Sequence, residues 1–314
     1  MTARFNYVYG PVPSRRLGRS LGVDLVSCKI CTYDCVYCQL GRTTEKTVER
    51  REYVAIDEVV AELKAKLSAG SAPDYISLAG SGEPTLNLRI GELIGKIKGL
   101  TRIPVAVLTN GSLLWKREVQ DALMEADLVL PSLDAGDAHL FRHVNRPHPG
   151  IEFHAMVEGL AEFTERFPRS VWLEVFLLAG VTGIDSEVKK IASLAERIKP
   201  DKVQLNTVSR PPCEEFAYAV SANQMEAFTS LFHPPAEVIS PATIESQTLA
   251  PNAVTDEDIL ALLRRRPCTA QGVAAGLGLH IGEAMKRLQV LAEQGAATHL
   301  RNNGEVFYTA ARRA

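Results

Sequence analysis

Between residues 21 and 207, short apolar runs alternate with longer amphipathic stretches, six times over. The runs are "LGVDLV" (21–26), "YISLAG" (75–80), "VAVLTN" (105–110), "LVLPSL" (128–133), "VWLEVFLL" (171–178) and "KVQLNT" (202–207). The stretches between them, such as "AIDEVVAELKAKL" and "DSEVKKIASLAERI", repeat apolar residues every three or four positions, the period of a helix with one buried face. Strands alternating with helices of this length predict a parallel sheet joined by right-handed crossovers. An open six-unit barrel and a doubly wound sheet share this element string, and six units are too few for a closed eight-unit barrel. Either way, working residues gather in the loops that follow the strands.

A chain of 314 residues can bury one large core or two smaller ones, and its formal net charge of −2 neither demands nor excludes a nucleic-acid partner. No run of about 20 apolar residues offers a membrane span. The opening "MTARFNYVYG" lacks the charged-then-apolar pattern of a signal peptide, so a cytoplasmic protein with no membrane partner is expected. Residues 1–210 form the first expected domain. Residues 211–254 are interrupted by proline in "RPPC", "FHPPAEV" and "LAPNAV" and read as a cover segment and linker. From 255 to 314 the rhythm changes to three short helices, "TDEDILALLRRR", "TAQGVAAGLG" and "HIGEAMKRLQVLAEQG". A hairpin follows, turning near Asn302, Asn303 and Gly304. That order resembles a winged helix, a module that commonly binds duplex through its third helix. Here Glu283, Lys286, Arg287 and Glu293 leave that helix nearly neutral, so docking or substrate presentation competes with nucleic-acid binding.

Four of the six cysteines fall within eleven residues, as Cys28, Cys31, Cys35 and Cys38 in "CKICTYDCVYC" behind the first strand. In a reducing compartment such bunching favours metal or redox chemistry over disulfides. A zinc site with four cysteines commonly joins two CxxC knuckles across a longer stretch than three residues. A closed four-cysteine iron–sulfur cluster for electron transfer is a second reading, although the ferredoxin spacing differs. A third takes Cys31, Cys35 and Cys38 alone, as CxxxCxxC.

"CTYDCVYC", with aromatic Tyr37 ahead of its last cysteine, resembles the cluster motif of the radical S-adenosylmethionine (SAM) superfamily. The resemblance implies a partial (βα)6 TIM-like barrel. It also implies a 4Fe–4S cluster held by Cys31, Cys35 and Cys38, with a fourth iron open to the amino and carboxylate groups of SAM and Cys28 surplus. Later strand ends extend it. "AGSGEPT" is similar to the superfamily's GGE-type motif, with Gly80 and Gly82 allowing close backbone approach and Glu83 accepting a hydrogen bond from the ammonium of SAM. Asn110 in "TNG" and Ser132 and Asp134 in "PSLDAG" resemble polar contacts to SAM, with a tight turn and a helix cap as the competing accounts. "LAGVTG" (178–183) resembles the adenine site. "PVPSRRLGRSLGVD" leading into "CTYDCVYCQLGRTT" resembles an uncharacterised Fe–S oxidoreductase branch related to the tRNA wyosine-synthesis enzymes. Those enzymes add upstream cysteines for a second cluster, whereas none precedes Cys28 here.

Several residues stand outside the motif. Glu174, isolated in an apolar strand, needs a partner inside the barrel. Gln204 and Asn206 share one face of the sixth strand, followed by Arg210 and by Cys213, a candidate thiol hydrogen donor. Arg15, Arg16 and Arg19 form a basic cluster ahead of strand one that suits a phosphate or carboxylate, RNA included. His143 and His148 read as loop residues. The expected function is a radical SAM oxidoreductase or transferase of unknown substrate. It takes electrons from flavodoxin or ferredoxin, with nucleic acid a candidate partner through the C-terminal domain or the arginines. A redox-sensing transcription regulator is the alternative.

Overall fold

A computed structural model describes residues 7–70, 73–239, 254–302 and 304–311. The expected linker residues 240–253 and the hairpin residue Asn303 lie outside these. The chain begins with β1 (Val8–Ser14), β2 (Gly18–Val23) and two short strands, β3 (Ile30–Cys31) and β4 (Glu45–Lys46). Helices and strands then alternate as α1 (Ile56–Ser68), β5 (Tyr75–Leu78), α2 (Ile90–Leu100), β6 (Val105–Thr109), α3 (Arg117–Leu123) and β7 (Leu128–Pro131). The alternation continues through α4 (Ala138–Val144), α5 (Phe153–Arg166), β8 (Ser170–Leu177), α6 (Asp185–Ile198), β9 (Lys202–Thr207), α7 (Ala222–Thr229) and β10 (Glu237–Val238).

Eight strands form one sheet in the order β1-β2-β5-β6-β7-β8-β9-β10, with β1 antiparallel to β2 and every other neighbouring pair parallel. From β2 onward the spatial order follows chain order. A doubly wound sheet reverses direction at a switch point, and this one never does, so its crossovers all return over the same face. Side-chain parity agrees. Val171, Leu173, Val175 and Leu177 of β8 enter the large core shared with the helices, while Ala106, Leu128, Leu130 and Trp172 belong to a separate cluster on the helix-free face. The result is an α/β fold with a mostly parallel, singly wound sheet, an open barrel rather than a doubly wound one.

Three differences from the sequence reading have physical causes. The first core strand ends at Val23 rather than Val26, because the Asp24 carboxylate accepts from the Ser81 amide (3.0 Å) and hydroxyl and turns the chain out of the sheet. The stretch "VYGPVPS" forms an edge strand despite its prolines, a position that does not require their missing donors. Residues 222–238, expected as part of a cover, supply α7 and a strand of two residues that extends the sheet beside β9. Among the described residues no helix is long and apolar enough to cross a membrane.

Beyond residue 254 come α8 (Asp256–Leu263), α9 (Ala270–Leu277), α10 (Ile281–Glu293) and the hairpin β11 (Ala297–Asn302) and β12 (Glu305–Ala310). The start of α8 is fixed by a reciprocal cap in which Thr255 and Asp258 satisfy each other's backbone amides. These elements share a core with Val12 of β1 and carry their own apolar residues Ile259, Leu262, Val273, Leu288 and Leu291. A buried ion pair joins the two parts, Arg265 Nε lying 3.4 Å from Asp24 Oδ2 while the guanidinium covers the Tyr9 ring at 4.5 Å. Burial pushes the Asp24 carboxyl above its usual range even with Arg265 beside it. Removing one partner of such a pair strands the other charge. Arg265→Met is expected to cost about 3 kcal/mol in urea unfolding monitored by circular dichroism.

Candidate functional site

The cysteine loop leaves the sheet after β2 and is pressed onto the loop after β5. Lys29, at φ 62°, donates its amide to Ser81 O (2.8 Å), and Glu83 N donates to Ile30 O (3.2 Å). Gly82 passes so close to Ile30 that a Cβ there would collide with the Ile30 carbonyl, and one on Gly80 would collide with the Asp24 carboxylate. Both glycines therefore permit close approach, as the motif suggested, but to this chain's own loop. Cys31, Cys35 and Cys38 are half-buried on this loop, and Cys28 is exposed.

Each of the three sulfurs meets a different side-chain donor. Lys29 Nζ lies 3.0 Å from Cys38 Sγ, Asn110 Nδ2 3.6 Å from Cys31 Sγ, and Asn145 Nδ2 3.6 Å from Cys35 Sγ. Burial pushes the Cys31 thiol up to about 12 and the Cys35 thiol well above its usual value. As bare thiols these two would stay protonated, whereas bound iron holds a coordinating sulfur as thiolate. Donors aimed at sulfur are what anionic ligands need, so this cysteine set fits an iron–sulfur cluster. Among the described residues no three metal-binding side chains converge on one point. A cubane asks for no such convergence, since each iron takes one cysteine.

The remaining expected residues are drawn in from later strand ends. Glu83 is 2% exposed and clasps two strands: Oε1 accepts from the Thr85 amide (3.0 Å) and from the Thr85 and Thr109 hydroxyls (both 2.6 Å), and Oε2 from the Asn110 amide (2.8 Å). Burial raises its carboxyl above the usual range. Asn110 also reaches Thr32 Oγ1 at 2.7 Å, a hydroxyl shared with Ser112. Asp134 is buried and fully engaged. Its Oδ2 accepts from the Tyr37 hydroxyl and from Asn145 Nδ2 (2.7 Å), its Oδ1 from the Phe176 amide (3.1 Å), and burial lifts it to about 6. It caps no helix, since Asp137 caps α4. Asp134 and Ser132 thus part company: Ser132 lines the open cavity and Asp134 sits behind Tyr37.

That cavity, of about 270 Å³, is lined by Tyr37, Cys38, Ser132, Glu174, Phe176 and Asn206, together with Arg15, Arg16 and Arg210. Tyr37 stacks on Phe176 with ring centroids 4.0 Å apart. Glu174 has the inward partner its sequence context required, Arg16 at 2.8 Å, and accepts from Asn206 at 2.7 Å. Gln204 lies buried on the same face as Asn206. Arg19, Cys213 and "LAGVTG" do not line the cavity; the last closes on itself through Gly183 N to Leu178 O (2.8 Å). His148 accepts at its ring from the Gly150 amide (3.0 Å) and donates its own amide to Thr32 O of the cysteine loop (2.8 Å).

Sequence reasoning passed over Lys29, Thr32, Asn145 and Phe176. Lys29 carried a signal, as a cation placed inside a cysteine motif. Asn145 lies in "FRHVNRPHPG" beside the histidines, and its role depends on α4 returning the chain to the cysteine loop. There Asp34 N donates to Asn145 O (3.0 Å) and Val36 N to Val144 O (2.9 Å).

The model of the Radical SAM superfamily matches residues 25–195. The chain is 30% identical to a UPF0026 protein of Methanocaldococcus jannaschii over 96% of its own length and 94% of the relative's. It is 33% identical to a UPF0026 protein of Helicobacter pylori over 96% and 97%. It is also 39% identical, over 96% of its own length, to a Brachyspira hyodysenteriae protein named GTPase Obg, of which it spans 45%. Among solved structures, a radical SAM methyltransferase from Sphaerobacter thermophilus superposes with TM-score 0.55 at 19% identity, over 70% of this chain and 65% of that one. A maturase of the FeFe-hydrogenase superposes with TM-score 0.50 at 15% identity, over 86% and 57%. These two likenesses concern the fold. The chain belongs to the radical SAM superfamily and, within it, to the UPF0026 proteins, and the cofactors of that superfamily are a 4Fe–4S cluster and SAM.

Two expectations follow from the geometry. Burial works against the Lys29 ammonium, but Cys38 and its neighbours hold it charged. Lys29→Met is therefore expected to lower the midpoint potential of the reconstituted cluster by on the order of 50 mV in a redox titration. For Glu174, burial raises the carboxyl, but Arg16 outweighs it and carries the pKa below the usual value. A depressed folded pKa gives stability that is complete above the unfolded value of about 4.3 and is lost as pH falls through the folded one. Glu174→Gln should flatten that acid limb below about pH 4.3 in melting temperatures taken against pH.

Proposed function

We propose that this radical SAM protein is an enzyme that cleaves SAM reductively, its cofactors when bound supplying a 5′-deoxyadenosyl radical that takes hydrogen from a substrate held in the cavity. The observation that carries this reading is the set of three cysteine sulfurs, each met by its own donor, with Cys38 opening onto the cavity. Cys31, Cys35 and Cys38 are the cluster ligands. Asn110, Asn145 and Lys29 orient the sulfurs and offset their charge. Oε2 of Glu83, with one bond from Asn110, keeps an acceptor position for the ammonium of SAM. Ser132 offers its hydroxyl to the cofactor. Asp134 acts through others, holding Tyr37 against Phe176 so that two aromatic faces shield the cavity from water. Gly80 and Gly82 serve by seating the cysteine loop.

The protein would then work in the cytoplasm, taking electrons from a flavodoxin or ferredoxin. The opening arginine motif supports kinship with the Fe–S oxidoreductases related to wyosine synthesis. We read the C-terminal part as a winged helix that docks on the barrel. Nucleic-acid binding through α10 has less to work with, because Arg287 is turned inward to Asp256 (2.8 Å) and the Val254 carbonyl (2.7 Å).

The test is electron paramagnetic resonance of the anaerobically reconstituted, reduced protein with and without SAM, alongside an assay for 5′-deoxyadenosine. The expected result is a cubane signal that shifts with SAM, persists in Cys28→Ala and is lost in Cys31→Ala, Cys35→Ala or Cys38→Ala. A signal indifferent to SAM and abolished by Cys28→Ala would overturn the assignment in favour of a closed four-cysteine cluster.

A further inference from the structure

The cavity onto which Cys38 opens is rich in guanidinium groups. Arg15, Arg16 and Arg210 line it, and Arg266 of the C-terminal part lies within electrostatic reach of both Arg15 and Arg210. Glu174 is the carboxylate in their midst, and it is taken by Arg16 at 2.8 Å. Arg210 leans on a neutral acceptor, Gln39 Oε1, at 3.0 Å. Nε of Arg266 is buried without a hydrogen-bond partner among the described residues. Burial pushes the Arg210 guanidinium down to about 10, and repulsion from Arg266 and Arg15 adds to it; Arg15 is lowered by burial and by Arg16, an effect that Glu174 offsets only in part.

Buried cations are ordinarily paired, because desolvation without a counter-charge is costly. Arg15 shares Glu174 with Arg16, while Arg210 and Arg266 have no carboxylate ion pair among the described residues; the desolvation these guanidiniums incur in the ligand-free protein is recovered when an anion arrives. We propose that Arg15, Arg210 and Arg266 bind a phosphate group of the substrate. A phosphate monoester dianion presents three oxygens and close to two charges, enough to engage several forked guanidiniums at once, whereas a carboxylate is satisfied by one. Held there, the substrate shares the cavity with Tyr37 and Cys38. The assignment differs from the sequence cluster. Arg16 is spent on Glu174 and Arg19 lies away from the cavity, while Arg210 and Arg266 join from distant parts of the chain. Arg266 also gives the C-terminal part a role at the barrel mouth, completing the anion site.

This inference rests on reading the cavity as the reaction chamber, and its test is separable from that reading. Full-length, cluster-reconstituted protein is titrated calorimetrically with inorganic phosphate, and with succinate as the carboxylate counterpart, at constant ionic strength. Phosphate is expected to bind at least tenfold more tightly than succinate. Arg210→Gln and Arg266→Gln should each weaken it tenfold or more, and Arg19→Gln should leave it unchanged. Both site variants should melt no lower than the parent, since each relieves like-charge repulsion, and both should keep the SAM-dependent change in the paramagnetic signal. No phosphate binding to the parent, equal binding of succinate, or undiminished binding in both variants would overturn the anion site while leaving the enzyme assignment intact. A parent that binds phosphate through these arginines but whose signal ignores SAM would uphold the site and remove the assignment instead.

Discussion

Everything at the candidate site depends on how closely the cysteine loop lies against the loop after β5. Two backbone hydrogen bonds fix that contact, Lys29 N to Ser81 O and Glu83 N to Ile30 O, and neither could form with a side chain at position 82. The same contact forces Lys29 into a left-handed conformation, which turns its side chain back towards Cys38. It also sets the register of Glu83, whose carboxylate then ties the end of β5 to the end of β6 through Thr109 and Asn110. Asn110, positioned by that clasp, returns to the loop at Cys31. The loop is thus held by the strand ends it decorates, and each ligand's donor comes from a different segment of chain.

Asp134 performs the corresponding service on the other side. A buried carboxyl lifted to about 6 is an expense unless its oxygens are well used, and here both are. It links Tyr37 in the cysteine loop, Asn145 after α4 and the backbone of β8 at Phe176. Asn145 bridges onward to Cys35. A polar network of this kind orients several groups at once and holds the stacked rings of Tyr37 and Phe176 at the cavity wall.

The sequence displayed the fold through periodicity. β5, β6, β8 and β9 fall within a residue or two of their apolar runs, and α6 coincides with "DSEVKKIASLAERI", because buried parallel strands read as apolar runs and amphipathic helices as a period of three to four. Strand order was not visible, since it is a property of the assembled sheet. β1 and β10 were hidden by prolines and by shortness. At the site, the cysteines and Glu83 were legible because their spacing is local and their chemistry specific. Asn145, Phe176 and Arg266 were not, for each acquires its role from a neighbour tens or hundreds of residues away. The glycines of "AGSGEPT" were read as places of close approach, and the structure brings Asp24 and Ile30 against them, since a glycine states that something must come near without stating what.

Arg265 and Arg266 show how adjacent residues of one type divide into structure and function. Arg265 points to Asp24, whose carboxylate also receives Ser81, so it reaches the same pair of loops that seats the cysteines. Arg266 follows immediately and lies within electrostatic reach of Arg15 and Arg210. The buried ion pair, with the core shared through Val12 and the Lys66–Asp258 pair, holds the C-terminal part in place and with it the next guanidinium. A buried salt bridge contributes little net stability once desolvation is counted, but its demand for one particular partner makes it an effective register mark. The cost of burying Asp24 is then repaid in placement: the C-terminal helices need bring only a single cation to the barrel mouth, and Asp24 determines that it arrives beside the other two.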